Sequence, residues 1–123
     1  MRGFIDLHCH WIPGIDDGAR TVDEGVAMLE RLHAAGFDTV VATPHTRPGM
    51  FENDATGLRD AFEAAVPAIR AAARGALPSL ALASEHFFDD VVYARLREGH
   101  VLPYPPLPGR PYKRVRPILI ELS

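Results

Sequence analysis

The stretch GFIDLHCHWIPGIDDGARTVDEGVAMLERLHAAGFDTVVATPH, residues 3–45, changes its hydrophobic period twice, and those changes decide the fold. In residues 3–10, Ile5, Leu7 and Cys9 alternate with Asp6, His8 and His10. This is the two-residue period of a strand. Residues 11–19 form a loop, punctuated by Pro13, Gly14 and Gly18. Thr21 and Glu24 then make a T-x-x-E capping box. Val26, Leu29, Leu32 and His33 follow at helical spacing, and Gly36 marks the stop. Residues 37–45 are a nearly continuous apolar run, as in strands buried inside parallel sheets. Strand, helix and strand make a βαβ unit.

The pattern repeats downstream. After the loop TRPGMFEND, an Ala-rich helix is predicted from about Asp54 to Arg74, with Leu58, Phe62, Ala65, Val66 and Ile69 on its apolar side. Pro67 falls inside it and predicts a kink or a split, because proline removes a helical hydrogen bond. LPSLALAS (77–84) reads as a third strand, and DDVVYARLREG (89–99) as a helix capped by Asp89 or Asp90. RPILIELS (116–123) reads as a fourth strand. The fold class is therefore α/β, with about four parallel strands alternating with helices. Residues 102–117 hold six of the 11 prolines, which excludes a helix or a central strand. Tyr104 to Arg110 is similar to a proline-rich ligand of the SH3 type, but a stiff connector within the domain is the better reading.

A chain of 123 residues with 47% hydrophobic content is the size and composition of one globular domain, 1–123. A net charge of −3 gives no reason to expect a nucleic-acid partner. The one cysteine leaves no internal disulfide and fits a reducing compartment. MRGFIDLHCH lacks a signal-peptide pattern, and no apolar run approaches the roughly 18–20 residues of a membrane span. A cytoplasmic protein is expected.

In parallel α/β sheets, functional groups gather at the carboxyl ends of the strands. His8 and His10 end the first predicted strand, with Asp16 and Asp17 in the loop beyond. His45 ends the second, Glu85 and His86 the third, and Glu121 the fourth. Every predicted strand thus ends in a group able to bind metal. Imidazoles with carboxylates suit Zn, Mn or Fe, and divalent cations remove the repulsion within a carboxylate cluster. Ordinary alternatives stand beside this reading. His8 and His10 could face solvent, and Glu85 and Glu121 could pair with arginines. Spacing does not choose between Asp16 and Asp17. Asp6 is expected to orient a histidine, Cys9 to be a small core residue, and Trp11 to anchor the core or wall the site. His33 is expected to pack on its helix, and His86 and His100 to lie on the surface.

DLHCH, PGIDDGARTVDEG, VVATPHTRPGMFEN, ASEHFF and ILIELS together resemble the PHP (polymerase and histidinol phosphatase) superfamily. Within it they look like the bacterial manganese-dependent protein-tyrosine phosphatases of capsule and exopolysaccharide synthesis. The resemblance implies a distorted β/α barrel with up to three metal ions, Mn²⁺ first and Zn²⁺, Fe or Mg²⁺ as alternatives. Matched by position, His8 and His10 would hold one ion, Asp17 and His45 another, Glu85 would bridge, and Glu121 would bind the third. The family barrel continues past the strand ending ILIEL with a further histidine, a D-x-H pair and phosphate-holding arginines. This chain therefore resembles the N-terminal half, a partial barrel whose activity alone is in doubt. Self-association, or a partner completing the half-barrel, is expected. Arg47, two residues past His45, is the candidate phosphate contact, with a plain surface arginine as its alternative. The implied reaction is hydrolysis of phosphotyrosine or another phosphomonoester. The competing reading is a non-catalytic metal-binding or interaction module. An amidohydrolase would also open with H-x-H, but GIDDGA followed by ATPH and GMFEN argues against it.

Overall fold

A computed structural model describes residues 1–109 and 115–122. The expected βαβ unit is present as β1 (Phe4–Cys9), α1 (Val22–Ala34) and β2 (Phe37–Ala42), with β1 parallel to β2. The Thr21 hydroxyl caps α1 by accepting from the Glu24 N–H at 3.1 Å. The Glu24 carboxylate reaches back one residue further than in a reciprocal box and accepts from the Arg20 N–H at 2.6 Å. Gly36 turns the chain at φ 109°, a conformation disfavoured for side chains, and its carbonyl accepts from the Phe4 N–H.

The second and third predicted strands each divide in two. Residues 37–45 become β2 and β3 (His45–Thr46), and the third becomes β4 (Ser79–Leu82) and β5 (Glu85–Phe87). With β6 (Leu119–Glu121) these make two parallel three-stranded sheets, ordered β1-β2-β4 and β3-β5-β6. Pro44 has no N–H to continue a ladder, so the break falls at Thr43–Pro44, and β4 breaks at the neighbouring Ala83–Ser84. Buried hydroxyls add to the backbone bonds at the break. Thr43 Oγ1 accepts from the Cys9 N–H at 3.0 Å, and Ser84 Oγ donates to the Pro44 carbonyl at 2.9 Å. His45 and Glu85 accordingly begin strands of the second sheet rather than ending strands of the first.

Val40 and Ala42 face the main core with Cys9, Trp11, Ile12, Val26, Leu29, Ala65 and Ile69. Val41 points the other way, toward Ala83 and Leu107. Opposite burial of successive residues explains why this strand is apolar without alternation. The second face is covered by the proline-rich segment, where Leu107 is buried and Tyr104 Oη donates to the Leu7 carbonyl at 2.6 Å. That segment is a packed wall as well as a connector; residues 110–114, including Arg110 of the ligand-like pattern, lie outside the described residues, as does Ser123.

Helix α2 (Ala55–Ala72) runs through Pro67 without a split. Pro67 and Glu63, the residue whose carbonyl loses its helical partner, both lie on the exposed side. Asp54 caps α2, and Asp89 rather than Asp90 caps α3 (Asp90–Glu98). Among the described residues no helix is long and apolar enough to cross a membrane. His100 is exposed and His33 half-buried.

His86 corrects the expectation of a surface residue, being only 2% exposed. Its Nδ1–H donates to the Leu119 carbonyl at 3.0 Å, and its Nε2 accepts from the Leu102 N–H at 3.2 Å. It thereby ties β5 to β6 and to the proline-rich segment. The ring sits in a strand whose side chains on this face point inward, which the sequence pattern alone did not reveal.

Leu29 is fully buried between helices and sheet, so Leu29→Ala should cost about 2–5 kcal/mol in urea unfolding of the metal-free protein. Burial also holds the His86 pKa below its ordinary value. Below about pH 6.5 the unfolded chain then binds a proton that the folded chain excludes, so this group makes stability fall with falling pH. His86→Gln, which keeps a donor and an acceptor, should lose less stability between pH 7 and pH 5, measured by denaturation at each pH.

Candidate metal centre

His8 lies on β1 and His10 just beyond it, two residues apart, so both rings leave the same side of the strand, with centroids 5.2 Å apart. Glu85, at the start of β5, points its Oε1 between them, 2.8 Å from His8 Nε2 and 3.0 Å from His10 Nε2. His45, at the start of β3 and in register with Glu85, brings its Nδ1 to 3.7 Å from the same oxygen. Glu121, at the end of β6, sets Oε2 3.3 Å from His45 Nδ1, and Asp17 Oδ1 lies 3.2 Å from His45 Nε2. All six residues matched by position in the sequence therefore converge. They form three overlapping triads, His8–His10–Glu85, His10–Asp17–His45 and His45–Glu85–Glu121, each with ligand-capable atoms within 4.8 Å of one another.

The two aspartates have different settings. The Asp16 side chain is 1% exposed and is engaged on three sides, with His10 Nδ1 at 2.9 Å, the Gly18 N–H at 2.9 Å and the His45 N–H at 3.1 Å. Asp17 projects outward, 66% exposed. The loop closes so tightly that a Cβ on Gly18 would stand 2.2 Å from the His10 carbonyl oxygen, which excludes any larger residue there. Burial opposes the charge on Asp16, but its hydrogen bonds to His10, Gly18 and His45 prevail and hold its pKa below the ordinary carboxylate value. Burial likewise opposes charge on His10, and the Asp16 hydrogen bond with the surrounding carboxylates prevails in raising its pKa.

Rings and a loop brace the centre. The His45 ring stacks on His10 at 4.6 Å and on Phe51 at 5.0 Å. Arg47 lies with its guanidinium 3.9 Å from the centroid of the Phe87 ring and NH1 3.9 Å from Glu121 Oε1, at the edge of the cluster. The Asn53 amide donates to the carbonyls of Ile15 at 3.0 Å and His45 at 2.9 Å. Sequence reasoning gave no role to Phe51 or Asn53. The available signal was an aromatic and an amide side chain in a short loop directly following His45. Asp6 also departs from expectation: its carboxylate accepts from the backbone N–H of His8 at 2.9 Å, so it holds the strand and not an imidazole. Cys9 is buried in the core as expected, and burial, with Asp6 nearby, pushes its thiol up to about 12, far from a nucleophile at neutral pH. Trp11 is fully buried and packs against Phe62, an anchor of the core.

The cluster fits a divalent cation by two observations. His45 Nδ1 and Glu121 Oε2 are both buried with no hydrogen-bond partner, an expensive condition for polar atoms. They face one another within a set of imidazole nitrogens and carboxylate oxygens of the kind borderline and hard divalent ions accept.

The sequence pattern of a family described as capsular polysaccharide synthesis, CpsB/CapC, matches residues 4–105. The chain belongs to this CpsB/CapC family. The tyrosine-protein phosphatase YwqE of Bacillus subtilis (strain 168) is 37% identical over 59 residues, 48% of this chain and 23% of that relative. The tyrosine-protein phosphatase CpsB of Streptococcus agalactiae serotype V is 40% identical over 48 residues, 39% of this chain and 20% of the relative. A chain from the crystal structures of YwqE from B. subtilis and CpsB from Streptococcus pneumoniae, described as unique metal-dependent tyrosine phosphatases, superposes with a TM-score of 0.76 at 24% identity. That match covers 98% of this chain and 44% of the solved chain, so this CpsB/CapC chain spans less than half the length of its structural neighbour.

Asp16→Ala should leave two N–H groups and an imidazole without their buried acceptor, costing about 3–5 kcal/mol in chemical denaturation of the metal-free protein. Asp17→Asn, at an exposed position, should change that stability by less than about 0.5 kcal/mol.

Proposed function

We propose that this chain carries part of the metal site of a phosphomonoester hydrolase, a protein-tyrosine phosphatase of capsular or exopolysaccharide regulation that uses Mn²⁺. The observation that carries the reading is the convergence of His8, His10, Asp17, His45, Glu85 and Glu121, with two buried atoms of that cluster lacking hydrogen-bond partners. The relatives YwqE and CpsB, tyrosine-protein phosphatases, supply the substrate class. In this reading residues 1–123 form one part of a PHP-type β/α barrel located in the cytoplasm, completed by further chain, a second copy or a partner.

In this reading His8 and His10 would hold one ion, Asp17 and His45 a second and Glu121 a third, with the Glu85 carboxylate between them. Bound divalent ions supply an acidified water and neutralise the phosphoryl oxygens. Asp16 keeps His10 oriented, leaving Nε2 directed at the cluster. Phe51 and His10 sandwich the His45 ring and restrict its rotation. Arg47, braced on Phe87, has guanidinium donors to orient phosphate oxygens at the open edge. A tyrosinate leaving group, with a pKa near 10, needs little protonation.

The test combines binding with turnover. Mn²⁺ binding followed by calorimetry should weaken in Glu85→Gln by more than the roughly 10- to 100-fold that loss of an outer hydrogen-bond partner costs. Mn²⁺-dependent hydrolysis of p-nitrophenyl phosphate should be lost in His10→Ala. Binding without turnover in the unaltered chain would favour the second reading, a metal-binding module.

A further inference from the structure

Asn53 stands outside the cluster, yet its contacts join the two segments that bring Asp17 and His45 together. Its amide has two N–H donors, and both are used, one on the Ile15 carbonyl at 3.0 Å and one on the His45 carbonyl at 2.9 Å. Ile15 immediately precedes the Asp16–Asp17 pair. His45 is held on its other side as well, because its backbone N–H donates to the Asp16 carboxylate at 3.1 Å. Both backbone polar groups of His45 thus end on side chains, one from each flanking loop.

The mount for Asn53 is itself fixed. Arg47 and Phe51 pair through both backbone groups, Arg47 N–H to Phe51 carbonyl at 3.3 Å and Phe51 N–H to Arg47 carbonyl at 2.8 Å. The Asn53 N–H donates to the Phe51 carbonyl at 2.8 Å, and the next residue, Asp54, caps α2. Asn53 is therefore a short strut between the foot of a long helix and the loop beyond β1. His8 and Glu85 take their places from β1 and β5.

We propose that Asn53 is a positioning residue that sets the distance between Asp17 and His45, and so governs an ion held by those two residues in preference to one held by His8, His10 and Glu85. This rests on the metal reading above. An acid of the same shape makes the sharpest test: Asn53→Asp turns two donors into acceptors facing two carbonyl oxygens. Asn53→Ala removes the donors without adding charge, and serves if the aspartate variant does not fold.

The experiment is Mn²⁺ titration followed by electron paramagnetic resonance of the free ion, with thermal unfolding of each metal-free protein alongside. The expected result is one class of site weakened by roughly 10- to 100-fold, the range typical for a lost outer-shell partner, with the other class unchanged. The affected class should be the one lost in Asp17→Asn, and adding Asn53→Ala to that variant should produce no further loss. Unchanged affinities in a folded Asn53 variant overturn the proposal. Equal weakening of every class, following a lowered melting temperature, also overturns it by showing a merely structural role. Absence of Mn²⁺ binding by the unaltered protein overturns the metal reading itself, and this inference falls with it.

Discussion

The interruption of the strands at Thr43–Pro44 and Ala83–Ser84 is the constraint on which the arrangement depends. A continuous parallel strand places alternate side chains on opposite faces, and cannot turn a histidine at its end onto a carboxylate in the neighbouring strand at will. Proline at 44 stops the ladder; the Thr43 hydroxyl takes the Cys9 N–H, and Ser84, bonded to the Thr46 hydroxyl, adds a donor to the Pro44 carbonyl. The chain then restarts pairing in a second sheet, where His45 stands in register with Glu85. Removing the Thr43 hydroxyl would leave the Cys9 N–H in the core without this partner.

That break also allocates the chemistry. The first sheet contributes packing, with Val40, Val41 and Ala42 buried on its two faces. The second sheet contributes Glu85, His45 and Glu121, while β1 of the first sheet contributes His8 and leads into His10. One carboxylate oxygen, Glu85 Oε1, is close to three imidazoles at once. A buried carboxylate so placed reduces its desolvation cost through those neighbours, and Asp16 does the same with two N–H groups and a ring.

Much of this was legible in the residues. The switch of period located β1, α1 and β2, and metal-competent groups at and just beyond predicted strand ends included the six residues that converge, with Asp17 singled out from Asp16 only by the family resemblance. The Ala-rich helix was found with its apolar face intact, although Pro67 argued for a break that its solvent-facing position makes unnecessary. What the pattern did not contain was long-range. An apolar run does not announce that it stops and restarts, so the four predicted strands became six. His86 looked like any polar residue near a strand end until its two backbone partners, at Leu102 and Leu119, supplied a reason for burial. Asp16 and Asp17 are adjacent and chemically alike, and only the closure of the loop over Gly18 separates their settings. Asn53 acts through carbonyls of residues 15 and 45, contacts invisible to local spacing.

The six converging side chains are drawn from residue 8 through residue 121. No contiguous piece of the sequence brings more than a few of them together, and β1–β2, β2–β4 and β5–β6 pair segments far apart along the chain. Closing such loops costs entropy before any contact repays it, which places assembly of the cluster late in folding and makes a high-contact-order chain of this kind slow to mature. An ion that bound only the assembled cluster would stabilise the folded chain by mass action and couple β1 to β6.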